Sequence, residues 1–232
     1  YGVVVYMQPR TRENQSISPQ VIARWAVDGA LWLYPERGDE PHVQLIRESG
    51  LPLVLIDPEV AMPHTVCVFP DAYYDGYDNT RYLLALGHRR IAASADILSW
   101  GLIGQFLDGY YAALADAGLP ADPTLAVAGG WMYEDGYATA WRWLHGPDRP
   151  TGMCFHSDIA AMGALAAARD VGLAVPEDLS IIGYDDTQIA SWIKPTLTTR
   201  RERRVGLARV ACEILLTLID GAEPPAEPLS VS

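Results

Sequence analysis

The chain has 232 residues, 50% of them hydrophobic and 20% charged, which is enough to bury a sizeable core and too apolar for a disordered segment. Seventeen basic against 29 acidic residues leave a net charge of −12, so this chain by itself is repelled by phosphate backbones. No apolar run reaches the length of a membrane span and no leader-like segment opens the sequence, so a cytoplasmic protein without membrane contact is expected.

Short apolar runs alternate with longer amphipathic stretches, the pattern of βαβ units and parallel sheets. In chain order, strands are predicted at Gly2–Tyr6, Gly29–Tyr34, Leu53–Ile56, Thr65–Phe69, Ile91–Ser94, Leu125–Ala128, Gly152–Phe155, Ser180–Tyr184 and Leu229–Ser232. Helices are predicted at Ser18–Ala26, His42–Ser49, Tyr73–Leu86, Ile103–Ala117, Glu134–Leu144, Ser157–Asp170, Gln188–Trp192 and Arg203–Asp220. Gly118, Gly172 and Gly221 each follow a helical run, where a left-handed C-cap favours glycine. Cys67, Cys154 and Cys212 lie far apart and read as small apolar residues of a reducing compartment.

The most informative stretch is Val175–Thr199, VPEDLSIIGYDDTQIASWIKPTLTT. Its core, Leu179–Tyr184, reads as a strand buried on both faces, and Asp185 and Asp186 stand where that strand ends. In open α/β sheets ligands bind beyond the carboxyl ends of the strands, where an acid accepts hydrogen bonds from hydroxyls or amines. By spacing alone the two acids equally fit caps for the turn or the next helix. Enzymatic signatures are missing: there is no nucleophile elbow, Walker loop, dinucleotide glycine motif or His-Glu-x-x-His. The five histidines lack metal-ligand spacing, so neither catalysis, nor a metal, nor a cofactor is expected.

This stretch resembles the effector-binding core of lac-repressor-like (LacI/GalR) transcription regulators, whose pattern is V-P-E-D-[VL]-S-[VI]-[VI]-G-[FY]-D-D followed by P-x-L-T-T. Further blocks agree in order. Asp71-Ala72-Tyr73-Tyr74-Asp75-Gly76-Tyr77 with Leu86-Gly87-His88-Arg89-Arg90-Ile91-Ala92 is similar to the family's D-N-x-x-x-G-Y…L-G-H-R-R-I-A. Asp108–Leu114 is similar to x-G-[FY]-x-x-A-L, and Pro150–Gly152, Ser157-Asp158 and Met162–Leu165 are similar to P-T-A…N-D-x-x-A-x-G-A-L. The resemblance runs from about Val27 to Gly221.

It implies an α/β fold of two Rossmann-like lobes with parallel sheets around a ligand cleft, as in type I periplasmic binding proteins. Residues 1–93 with 199–220 would form one lobe and 94–198 with 224–232 the other, the chain crossing near Ala93–Asp96, Thr198–Arg201 and Gly221–Glu227. The family's first strand and helix have no counterpart here, and no helix-turn-helix segment is visible. Carried over, the pocket positions are Asp185, accepting from ligand hydroxyls, and Trp131, stacking on a ligand ring, although an aromatic there also fits ordinary packing. Phe106 stands where the family carries a ligand-contacting arginine, Ser157 where it carries asparagine, and Glu202 where many relatives carry glutamine. Losing a cation and gaining a carboxylate disfavours acidic effectors, so a neutral sugar or glycoside is expected.

The resemblance further implies a homodimer, pairing through Tyr73–Leu86 and Gln188–Lys194, and operator DNA bound through a domain outside this chain. A periplasmic sugar-binding protein of a transport system is the alternative. Arg200-Arg201-Glu202-Arg203-Arg204 reads as a solvated hinge and helix start rather than a nucleic-acid patch, because an acid interrupts it.

Overall fold

A computed structural model describes Val3, Val5 and residues 26–36, 38–59, 61–96, 100–146, 148–201, 204–225 and 229–231. Most of the strand expected over Gly2–Tyr6 and most of the helix expected over Ser18–Ala26 lie outside the described residues.

Among the described residues the strands form two parallel sheets. The first has the order β1-β2-β3-β9, built from β1 (Ala30–Leu33), β2 (Leu53–Ile56), β3 (Val66–Pro70) and β9 (Leu229–Val231). The second has the order β5-β4-β6-β7-β8, built from β4 (Ile91–Asp96), β5 (Ala126–Gly129), β6 (Gly152–Phe155), β7 (Ser180–Tyr184) and β8 (Thr198–Arg200). The helices are α1 (Glu40–Glu48), α2 (Ala72–Ala85), α3 (Trp100–Asp116), α4 (Tyr133–Leu144), α5 (Asp158–Asp170), α6 (Gln188–Trp192) and α7 (Arg204–Ile219).

Both sheets are covered on both faces, which is why their central strands are apolar throughout rather than alternating. In the first sheet Leu53, Leu55 and Cys67 meet Val43 and Ile46 of α1, while Val54, Ile56, Val66 and Val68 meet Leu207 and Ala211 of α7. In the second, Ala92, Met153, Phe155 and Ile181 pack under α4 and α5, and Ile91, Ala93, Ala95, Cys154 and Ile182 under α2 and α3. Burial pushes the Cys154 thiol up to about 12, so it behaves as a small hydrophobe.

Strand pairing moves three of the expected segment boundaries. Ile91–Ala93, expected in the first lobe, begin β4, which pairs with β6 from Ile91↔Gly152 onward because Ile91 and Ala93 fill the core under α2 and α3. Thr199 and Arg200, also expected there, belong to β8 and pair with β7 at Gly183↔Thr199 and Tyr184↔Arg200. The terminal strand, expected in the second lobe, lies beside β3 in the first sheet, at Val68↔Leu229 through Pro70↔Val231. The helix before it, α7, lies on the first sheet and delivers the chain to that edge.

Helix ends follow local chemistry. Pro41 is accommodated in the first turn of α1, so that helix begins at Glu40, earlier than expected. Asp71 caps α2 by accepting the Tyr74 N–H at 3.1 Å. Gly118, Gly172 and Gly221 turn with φ of +67°, +78° and +90°, as their C-cap positions require.

The helix pairs on the two faces of the second sheet meet at backbone contact. A Cβ at Gly76 of α2 would lie 1.9 Å from the Phe106 carbonyl oxygen, and one at Gly109 of α3 2.0 Å from that of Tyr73. On the opposite face, Gly136 of α4 and Gly163 of α5 would meet the carbonyls of Ala160 and Tyr133 at 1.9 and 2.0 Å. Gly109→Ala and Gly163→Ala are therefore each expected to lower stability by about 2–3 kcal/mol, because the backbones must separate. Gly146→Ala, whose Cβ would approach nothing nearer than the Trp143 carbonyl at 3.4 Å, is the control. Urea midpoints of the three variants measure the difference.

Candidate functional site

The loops that leave β5, β6 and β7 all start at the C-terminal edge of the second sheet, and they carry three of the expected pocket residues. Trp131 follows β5 and is 45% exposed. Its loop is pinned: Asp135 accepts the Met132 N–H at 3.2 Å, and its carboxylate occupies the space that a Cβ on Gly130 would need. Ser157 follows β6 and is buried. Its hydroxyl oxygen accepts the Ile159 and Ala160 N–H groups at 3.1 and 3.4 Å, capping α5, and its proton goes to the Trp131 carbonyl at 3.0 Å. That geometry makes Ser157 a support for the Trp131 loop, with its only proton already engaged.

Asp185 follows β7 with φ of +114°, a conformation an L residue rarely adopts, and donates its N–H to the Arg200 carbonyl at 2.9 Å. Its side chain is partly exposed. Asp186 is placed differently. Its N–H donates to Thr199 Oγ1 at 3.2 Å, and its carboxylate pairs with the exposed Arg201. Phe106 is only 1% exposed; it packs edge-on to His156 with ring centroids 5.3 Å apart, below the sheet edge rather than open to it. Glu202 lies outside the described residues.

A buried carboxylate organises this edge. Asp158, the first residue of α5, has no solvent exposure. Its Oδ2 accepts the Thr187 N–H at 2.8 Å and the Thr187 hydroxyl at 2.7 Å, and its Oδ1 accepts the Thr199 hydroxyl. β7 passes close by, since a Cβ on Gly183 would lie 2.4 Å from Asp158 Oδ1.

Beside it runs a second network. Tyr184 stacks on the His156 ring at 4.9 Å and 12°, and its hydroxyl donates to Asp75 Oδ2 at 2.8 Å. Arg200 Nε meets Asp75 Oδ1 at 2.8 Å and its Nη1 meets Asp78 Oδ2 at 2.9 Å, with the guanidinium 5.8 Å from the centroid of Tyr74. Arg200, read from sequence as part of a solvated run, is thus largely buried and bound to two acids; Arg201 is the solvated one. Its partners lie more than a hundred positions earlier, so no local pattern announces them. His156, Asp75 and Asp158 are likewise functional candidates that motif matching passed over. Only Asp158 carried a signal, the N-D position of its block.

His156 is held neutral. Burial between Phe106 and Tyr184 pushes its imidazole down to about 4. Well above pH 6.5 the ring is neutral in folded and unfolded chains alike. As pH falls from 6.5 toward 4, the unfolded chain takes up a proton that the folded chain refuses, so stability drops by up to about 1.4 kcal/mol per pH unit from this group. The stability advantage of wild type over His156→Gln, read from urea midpoints, is expected to hold steady above pH 7 and shrink through that window. An advantage that stays constant down to pH 4 would show an ordinarily titrating histidine.

Among the described residues no group of three or more His, Cys, Asp or Glu side chains is placed to hold a metal ion, and no helix is long and apolar enough to cross a membrane.

Two parallel sheets, each wrapped on both faces by helices, with loops gathered at strand C-termini, define a periplasmic-binding-protein-like domain. The family model described as "Periplasmic binding protein-like domain" matches residues 80–232. One relative, the HTH-type transcriptional repressor PurR of Aliivibrio salmonicida, is 30% identical over 200 residues, 86% of this chain and 60% of its own length. A LacI family transcriptional regulator from Mycobacterium smegmatis superposes with a TM-score of 0.74 at 31% identity, covering 92% of this chain and 77% of that one. The transcriptional regulator CelR in complex with cellobiose superposes at 0.78 with 30% identity, covering 96% and 68%. The chain belongs to the LacI/GalR family, as an effector-binding domain. It spans about three fifths of the length of the curated relative named above.

Proposed function

We propose that this chain is the sensor of a transcription regulator, binding a neutral sugar or glycoside between its two sheets and passing the resulting change to a DNA-reading part outside the chain. The observation that carries this reading is the gathering of Trp131, Ser157 and Asp185 on adjoining loops at one sheet edge, where an exposed aromatic face and a carboxylate suit the apolar and hydroxyl sides of a sugar. The cellobiose complex of a 30% identical regulator supports the ligand class, and the relatives' names favour a regulator over a transport protein or an enzyme. The charge of −12 supports operator contact through another part of the protein. Differential affinity for two lobe orientations, rather than affinity itself, would drive the switch.

Asp185→Asn is expected to weaken cellobiose or related sugar binding by ten- to a hundredfold, about 1.5–3 kcal/mol for one charged hydrogen bond. Asp186→Asn, which disturbs only the surface pair with Arg201, should cost far less, and Trp131→Ala should remove most affinity. Calorimetry on the three variants decides; equal losses at Asp185 and Asp186 would overturn the assignment.

The same reading makes the protein a homodimer. Trp192 and Ile189 on α6 are 66% and 38% exposed, and Tyr73, Tyr74 and Tyr82 on α2 are 43%, 43% and 52% exposed, the aromatic surface that interfaces favour. Light scattering at micromolar concentration should give twice the chain mass for wild type and a shift toward monomer for Trp192→Glu.

A further inference from the structure

We propose that His156 is a ligand-contacting, specificity-determining residue, presenting an uncharged imidazole to an uncharged effector that offers both a hydrogen-bond donor and an acceptor. The proposal rests on the reading of the second sheet's C-terminal edge as the effector site and names a residue of that site.

Position comes first. His156 directly follows β6, between the last strand residue, Phe155, and the α5 cap, Ser157, so it stands on the loop that also supports Trp131. Its backbone N–H donates to the Ser94 carbonyl at 3.1 Å, which fixes the main chain there. The ring is clamped as well. Tyr184 stacks on it and Phe106 meets it edge-on, and Tyr184 is itself anchored by its hydroxyl to Asp75. A clamped ring loses little freedom when it binds, which is the preorganisation a specific contact requires.

Bonding capacity comes second. His156 is partly exposed as a residue while its ring is packed against Phe106 and Tyr184, and among the described residues neither ring nitrogen has a hydrogen-bond partner. A neutral imidazole carries one donor and one acceptor. Here both stay unused within the protein, at an edge where Asp185 adds a carboxylate acceptor.

Charge comes third and sets the ligand class. The charged groups nearest the stack are already matched: Asp75 binds the Tyr184 hydroxyl and Arg200, and Arg200 also binds Asp78. Phe106, from α3, contributes no charge where the family carries arginine. Among the described residues no cation contacts the His156 ring, so a phosphorylated or carboxylated effector placed there would lose its water without gaining a counter-ion. A sugar's vicinal hydroxyls, or the N–H and ring nitrogen of an uncharged base, match a donor and acceptor on one ring.

The test uses the full-length protein and a panel of neutral probes (cellobiose, ribose and adenine), with glucose 6-phosphate as the anionic comparison. Calorimetry identifies the tightest probe, and the same titration is repeated on His156→Ala, His156→Gln, Asp185→Asn and Trp131→Ala, each first checked for an unchanged far-ultraviolet spectrum. A neutral probe is expected to bind best. His156→Ala should weaken it tenfold or more, and His156→Gln, which keeps a neutral donor and acceptor, should retain affinity within about threefold. Nitrogen-15 spectra of labelled histidine should show the His156 ring neutral at pH 6 and shifted on adding the probe. Full affinity in His156→Ala alongside weakening in Asp185→Asn would overturn the role of His156 and leave the site standing. Full affinity in all four variants would overturn the site itself. Preference for glucose 6-phosphate, or failure of every neutral probe, would overturn the ligand class.

Discussion

The geometry of the second sheet's C-terminal edge depends on one carboxylate withdrawn from water. Asp158 receives hydrogen bonds from the N–H and hydroxyl of Thr187 and from the hydroxyl of Thr199, so the starts of α5 and α6 and the strand β8 converge on it. A buried charge is tolerable only when its oxygens are fully used, and this one is satisfied by three donors from two separate segments. Because Gly183 leaves no Cβ to push the carboxylate away, β7 runs past it and releases the chain at Tyr184 and Asp185 in one defined direction. The backbone of Asp185, with φ of +114°, is held by its N–H bond to the Arg200 carbonyl at 2.9 Å.

Around that anchor, charges and aromatic rings are sorted. Arg200 bridges the acids Asp75 and Asp78 of α2, while Phe106, His156 and Tyr184 form an aromatic stack beside them. The ion pair of Asp186 with Arg201 is at the surface, where its strength is modest and screened. The result is an edge whose polar character comes from hydroxyl, imidazole and carboxylate groups rather than from cations.

Much of this was legible in the residues. β2, β6, β7 and α6 have the bounds expected from sequence, because continuous apolar runs bracketed by turn residues leave little freedom to the reading. The parallel strands followed from alternation, and their division into two sheets from the family resemblance. What escaped was long-range. Thr198-Thr199-Arg200 is a polar edge strand with one described neighbour, so it carries no apolar signature and read as a crossover. Arg200 looked solvated because Asp75 and Asp78 reach it only after the sheet closes. Phe106 looked like a pocket residue because its position, not its environment, was known; packing at the α2–α3 crossing put it in the core. His156 has no pattern at all: its neutrality exists only once Phe106 and Tyr184 enclose it.

The paired glycine crossings, Gly76 with Gly109 on one face and Gly136 with Gly163 on the other, have a mechanical meaning. Helices whose backbones already touch cannot be pressed closer, and separating them would open voids that close-packed interiors resist. The second sheet is thus gripped from both sides like a plank between two clamps, and deformation inside it is costly. Whatever motion a ligand provokes must be displaced outward, to the connecting segments at the ends of the plank, so that a small event at one loop is delivered as the swing of a stiff lever.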